Sequence, residues 1–173
     1  MASEYSIFDP KVDQPLHELT RSEATVAYDW FISQKDERKH RLLSHAKELG
    51  FHLQDEERET IERLHQLLVS EIQKEKSQHT PSAYIYSLCN DIAIFMSDML
   101  IRRAPHLSWG MHTAGKNDLS YQRPVIQGFN VKNKNYSLDI DYLLCQYAHR
   151  LCRGGSKEED LLWSIYSNAL AKA

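Results

Sequence analysis

The sequence has little of several things, and each scarcity excludes something. Three cysteines in 173 residues, an odd number, cannot found a disulfide framework and suit a reducing compartment. Only 6 glycines and 5 prolines accompany 42% hydrophobic and 26% charged residues, which excludes a collagen-like, linker-like or wholly disordered chain. Basic charge is not in surplus. Lys and Arg total 21 against 24 Asp and Glu, a net charge of −3, which argues against general nucleic-acid binding. The one local basic run is Arg38-Lys39-His40-Arg41. No uninterrupted apolar run is long enough to cross a bilayer, because the most apolar segment is broken by Asn90, Asp91, Ser97 and Asp98. The opening MASEYSIFDPKVDQP lacks the basic start and apolar core of a signal peptide. These features lead to the expectation of a cytoplasmic protein without a membrane partner.

What is present is mostly helical periodicity. Residues 1–18, with Pro10 and Pro15 and no period, predict an extended N-terminal arm, and residues 19–173 a single globular domain. Thr20 and Glu23 have capping-box spacing, opening a helix that carries Ala24, Ala27, Trp30 and Phe31 on one side and runs on through Leu42, Leu43, Ala46 and Leu49 to a stop at Gly50. From Asp55 to about Ser77 the stripe Ile61, Leu64, Leu68, Ile72 predicts a surface helix with one buried edge. Residues 81–103 predict a central helix, with Pro81 in its first turn and Pro105 closing it; apolar side chains lie on its front and back. Alternating Leu107, Trp109 and Met111, then Pro124 to Val131, predict a β-hairpin over about 106–131, with Thr113–Arg123 as a long loop. Two more helices are expected near 138–152 and 157–171, the second opened by a Ser156/Glu159 capping box. The expected fold class is therefore α+β, mainly α: a helical domain around a central buried helix (81–103) with one β-hairpin (106–131).

Two aspartates, Asp91 and Asp98, interrupt the central helix one heptad apart. Seven residues rise about 10.5 Å along a helix, too far to share one proton or one small ion without further ligands. The structural reading is preferred: Asp98 pairs with Arg102 at i,i+4, and Asp91 accepts from a loop or a helix N-terminus. Cys145, His149 and Cys152 share a helix side and could hold zinc given a fourth ligand, but the spacing is unlike the usual cysteine pairs in turns. His40, His45, His52, His65 and His79 sit among charged residues and read as solvated. No Gly-x-Ser-x-Gly, His-Glu-x-x-His, Walker or Rossmann pattern occurs. No catalytic residue, metal ligand or cofactor is assigned.

Trp109, Tyr121 and Phe129 cluster at the hairpin, where aromatic side chains most often pack against helices. The loop carries Lys116, Asp118 and Tyr121, a mix of charge and ring suited to contacting a partner, so these three, with Asp91, are the candidate binding residues.

Several short motifs, taken together, resemble a family of small, uncharacterised bacterial proteins. They are Asp29-Trp30-Phe31-Ile32-Ser33 with Arg38 and Leu42, then Tyr86-Ser87-Leu88-Cys89-Asn90-Asp91-Ile92. Trp109-Gly110-Met111-His112-Thr113, Lys116-Asn117-Asp118 and Pro124-Val125-Ile126-Gln127-Gly128-Phe129 follow. Members of that family are similar to immunity or accessory proteins of secreted toxin systems, and the resemblance implies no enzyme activity. Met96-Ser97-Asp98 stands where the family has a glycine-containing turn of helix, so Asp98 is not carried over. The resulting expectation is a non-enzymatic, toxin-neutralising binding protein with a protein partner. The alternative is a small hydrolase or metal-dependent enzyme using Asp91/Asp98 or Cys145/His149/Cys152.

Overall fold

The computed structural model describes residues 5–53, 56–75 and 79–173. It is mainly helical with one two-stranded antiparallel hairpin: α1 (Arg21–Glu48), α2 (Glu57–Lys74), α3 (Ala83–Arg103), β1 (Ser108–Met111), β2 (Pro124–Gln127), α4 (Ile140–Cys152) and α5 (Leu161–Leu170). The α+β, mainly α fold class read from the periodicity is the one observed.

Local chemistry sets most of the boundaries. Thr20 accepts from the Glu23 amide and Glu23 reaches back to the Thr20 amide, the reciprocal cap that starts α1. Gly50, at φ +84, takes the left-handed conformation that ends α1. Ser82 caps α3 by accepting from the Ile85 amide, so Pro81 sits just before the cap and not in the first turn. Asp139 caps α4 by accepting from the Tyr142 amide at 2.9 Å. The expected Ser156/Glu159 box does not form. The last helix begins at Leu161 behind Asp160, because residues 153–160 stay exposed and offer the first turn no apolar footing. Asp55 and Ser77, the expected limits of the second helix, lie outside the described residues.

Helix α3 is the centre of the molecule, touching α1, α2, α4 and α5. By length and composition alone it could cross a membrane, yet 72% of that apolar window is buried inside the protein. Its apolar front and back are therefore both covered, as a core helix requires. One cluster of buried side chains runs from Leu42 and Ala46 of α1 through α2 and α3 to Ile126, Leu144 and Tyr166.

Helix α2 is buried more widely than one edge. Thr60, His65, Leu67, Val69 and Glu71 join the predicted stripe because α3, α4 and α5 all pack against it. His65 is 2% exposed, not solvated, and its Nε2 lies 3.0 Å from the Tyr147 hydroxyl. Burial pushes its imidazole below the ordinary histidine value.

The hairpin pairs Ser108 with Gln127 and Met111 with Pro124, and an isolated bridge from Ile126 to Leu138 attaches the segment leading to α4. Gly128, at φ +99, ends β2; a Cβ there would meet the His106 carbonyl oxygen at 2.6 Å.

Candidate functional site

Two of the interior charge clusters involve α1. Its buried stripe Ala24, Ala27, Phe31, Leu42, Ala46 continues through positions 35 and 38, where Lys and Arg stand instead of apolar residues. Arg38 is 4% exposed and grips Asp91, with Nε 2.8 Å from Oδ1 and Nη2 2.6 Å from Oδ2. Its Nη1 donates to the Ser6 carbonyl oxygen at 2.7 Å. The Tyr5 hydroxyl and the Asn90 amide also donate to Asp91, so this carboxylate, wholly buried, is fully engaged. Burial pushes its carboxyl above the ordinary value, with Arg38 and Tyr5 pulling it back. The same burial lifts the Tyr5 phenol.

One heptad on, Asp98 is met by Lys35 at 3.1 Å, Lys39 at 2.5 Å and the Trp109 indole nitrogen at 2.9 Å. Against the cost of burial, these donors hold its carboxyl below the ordinary value. The expected Asp98–Arg102 pair does not form, because Arg102 is exposed while Asp98 faces α1. Asp91 does accept from a non-helical segment, through Tyr5 of the arm, but it is gripped chiefly by an arginine in mid-helix, and no helix N-terminus among the described residues donates to it. Nor is Arg38–Arg41 a surface patch: Arg38 is buried, Lys39 reaches Asp98, and Arg41 pairs with Glu37. The signal in the sequence was two cations, Lys35 and Arg38, standing on the apolar stripe of α1, where a charge needs a partner of opposite sign.

The cysteine–histidine face of α4 does not gather. His149 Nε2 is 2.6 Å from the Tyr86 hydroxyl, and Cys145 lies 3.6 Å from Asp141 Oδ1. A hydrogen bond with the Cys145 thiol, together with burial, pushes the Cys89 thiol well above its ordinary value, which disfavours the reactive thiolate. Among the described residues, no group of three or more His, Cys, Asp or Glu is placed to hold a metal ion.

The loop after β1 is ordered by successive turns. Asp118 N donates to Gly115 O, Tyr121 N to Asp118 O and Arg123 N to Ser120 O, all within 3.0 Å, while Asp118 Oδ1 accepts from Ser120 N. Lys116 and Asp118 are exposed and Tyr121 is half-buried, with the Tyr121 amide on the Asp118 carbonyl oxygen. Asp91 is not among them; it is interior. Leu119, which sequence reasoning passed over, stands 72% exposed at the tip.

The far end of the loop is structural. Gln122, 2% exposed and at φ +63, donates through its amide nitrogen to Leu16 O and Leu19 O, pinning the N-terminal arm. Arg123 bridges Asp139 and Asp141 at 2.6 and 2.8 Å, tying hairpin to α4. Beside it, His112 Nδ1 lies 2.8 Å from Ser137 Oγ, and its Nε2 lies 3.4 Å from Asp118 Oδ2.

The arm, α1, α3, the hairpin and α4 enclose a half-open, mainly apolar cavity of about 700 Å³. Phe8, Phe31, Trp109 and Tyr142 line it, with Ser97, Asn90 and Gln122 among its polar side chains. Comparison with protein-family models, curated proteins and solved structures finds no match to this chain.

Proposed function

We propose that the protein acts by binding another protein, as a cytoplasmic immunity protein that neutralises a cognate toxin. The observation that carries this reading is the tip of the 113–123 loop. Leu119 is exposed directly after Asp118, three residues from Lys116, on a segment already held by its own turns. An apolar anchor on a pre-ordered loop loses little conformational entropy when a partner closes over it. The resemblance stated above supplies the class of partner, and the net charge of −3 favours a basic target through electrostatic attraction. The interior aspartates support a binding role in another way, since Asp91 and Asp98 are engaged with cations and unavailable as an acid–base pair. Co-expression with the toxin encoded beside its gene should restore growth. Leu119→Asp combined with Lys116→Glu should leave the thermal midpoint unchanged and abolish protection. Toxicity undiminished by the wild-type chain sinks the reading; full protection by the double variant removes the loop from the interface.

A hydrolase reading is favoured by one arrangement, Ser137 Oγ beside His112 Nδ1 with Asp118 Oδ2 3.4 Å from the other ring nitrogen, which makes no hydrogen bond among the described residues. There His112 would take the serine proton and Asp118 would steady the imidazolium. A fluorophosphonate probe should then label Ser137 in the wild type but not in His112→Gln. A wild type left unlabelled ends this reading.

A further inference from the structure

The cavity beneath the arm carries an inference independent of the toxin reading. Its volume, about 700 Å³, lies in the range that encloses a small organic molecule. What such a molecule must offer is set by how the polar side chains in the wall are already used. The Asn90 amide nitrogen is 3.1 Å from Asp91 Oδ1, and only the NH₂ side of an amide can face a carboxylate oxygen this way. Its carbonyl oxygen is therefore left over as an acceptor. Gln122 spends its amide nitrogen on two carbonyl oxygens, of Leu16 at 2.6 Å and Leu19 at 3.0 Å, which consumes both protons. Its carbonyl oxygen too is left over. Neither oxygen receives a hydrogen bond from the described residues, and neither is sealed from the cavity as an orphaned buried atom. Both side chains are more than nine-tenths buried, so their orientation is imposed by the fold. Ser97, 1% exposed and without a side-chain partner among the described residues, adds a hydroxyl to the same wall.

The charge in the wall has the same sign preference. Among the described lining residues Arg123 is the one cation and Asp13 and Asp141 are the carboxylates, which leaves the wall formally negative by one charge; Arg123 is paired with Asp141 and with Asp139 behind it. The remaining surface is mainly apolar, though Gln14, Ser87, Tyr28 and Tyr86 also reach it, and the rings of Phe31 and Trp109 stand at 5.3 Å in an edge-to-face pair. Acceptors, a surplus of negative charge and aromatic walls favour a flat apolar molecule ending in an ammonium group. An anionic ligand would meet carbonyl oxygens and carboxylates.

We propose that this cavity binds a small aromatic amine, its ring among Phe8, Phe31 and Trp109 and its ammonium group donating to the Asn90 and Gln122 carbonyl oxygens.

Tryptamine is a suitable probe, set against indole-3-propionate, which carries the same ring with a carboxylate. Calorimetric titration of the full chain should give one saturable tryptamine site, at least about tenfold tighter than any binding of indole-3-propionate. Intermolecular nuclear Overhauser effects should connect the ligand ring to Phe31 and Trp109. Ala27→Phe, which places a ring in the cavity and leaves every polar group in place, should abolish binding while circular dichroism keeps its helical shape. Equal affinity for the two indoles overturns the acceptor argument. No saturable tryptamine binding at millimolar concentration, or contacts away from Phe31 and Trp109, overturns the site. Should Ala27→Phe fail to fold, the contacts in the wild type decide.

Discussion

Arg38 holds Asp91 with two nitrogens, at 2.8 and 2.6 Å, where the guanidinium is 4% exposed and the carboxylate not at all. This pair joins α1 to the central helix, and through Tyr5 and Ser6 it seats the N-terminal arm on both. Removing one member strands the other in a poorly solvated place. Arg38→Met or Asp91→Leu should each cost about 3–5 kcal/mol, measured as the shift in urea midpoint times the slope. The double variant should lose clearly less than the sum of the two. Full additivity would mean that the pair is not coupled in the folded protein.

Asp98 predicts a pH dependence. Its folded carboxyl sits below the ordinary value, so its contribution is complete above pH about 4, where the unfolded group is also ionised. It is lost as pH falls through the lower folded value. The stability gap between wild type and Asp98→Asn should therefore be constant from neutrality down to about pH 5 and shrink below it. Chemical denaturation at a series of pH values checks this, and a gap that widens on acidification contradicts the donor geometry.

His65 acts higher on the pH scale. Its imidazole is depressed by burial against Tyr147, so folded and unfolded states are both neutral above the ordinary histidine value of about 6.5. As pH falls below that, the unfolded chain takes up the proton first and unfolding is favoured until the folded value is reached. His65→Gln should flatten the decline in stability between about pH 7 and pH 5 relative to wild type. The comparison must be a difference, because His45 is depressed in the same direction.

Trp109 is half-buried, with its ring on Phe31 and its indole nitrogen on Asp98. Trp109→Ala should cost about 3 kcal/mol, the low end for truncating a large aromatic, and Trp109→Phe less, since it keeps a ring against Phe31 while losing the hydrogen bond and part of the indole's area. Equal losses in thermal denaturation would show that the ring contact with Phe31 contributes nothing.

The sequence by itself determined which segments are helical and where most of them start, because capping and hydrophobic period are local properties. Thr20 with Glu23, Gly50, and the double-faced apolar pattern of 81–103 each state their role within a few residues. Where a local signal failed, as at Ser156/Glu159, no apolar footing stood behind it. Tertiary structure alone decided the partners. Asp98 is four residues from an arginine, yet it is satisfied by Lys35 and Lys39 from another helix, because α3 turns that flank toward α1 and a half-buried carboxylate takes the cations that share its burial. His65 reads as surface among Arg and Glu neighbours until α4 brings Tyr147 against it. The cavity has no local signature at all. It exists because the arm is held across the gap between α1, α3 and α4, at one end by Gln122, 103 residues beyond Leu19 in the chain, and at the other by Arg38, Ser87 and Asp91. Contacts at that separation depend on how the helices pack, which no window of local periodicity contains.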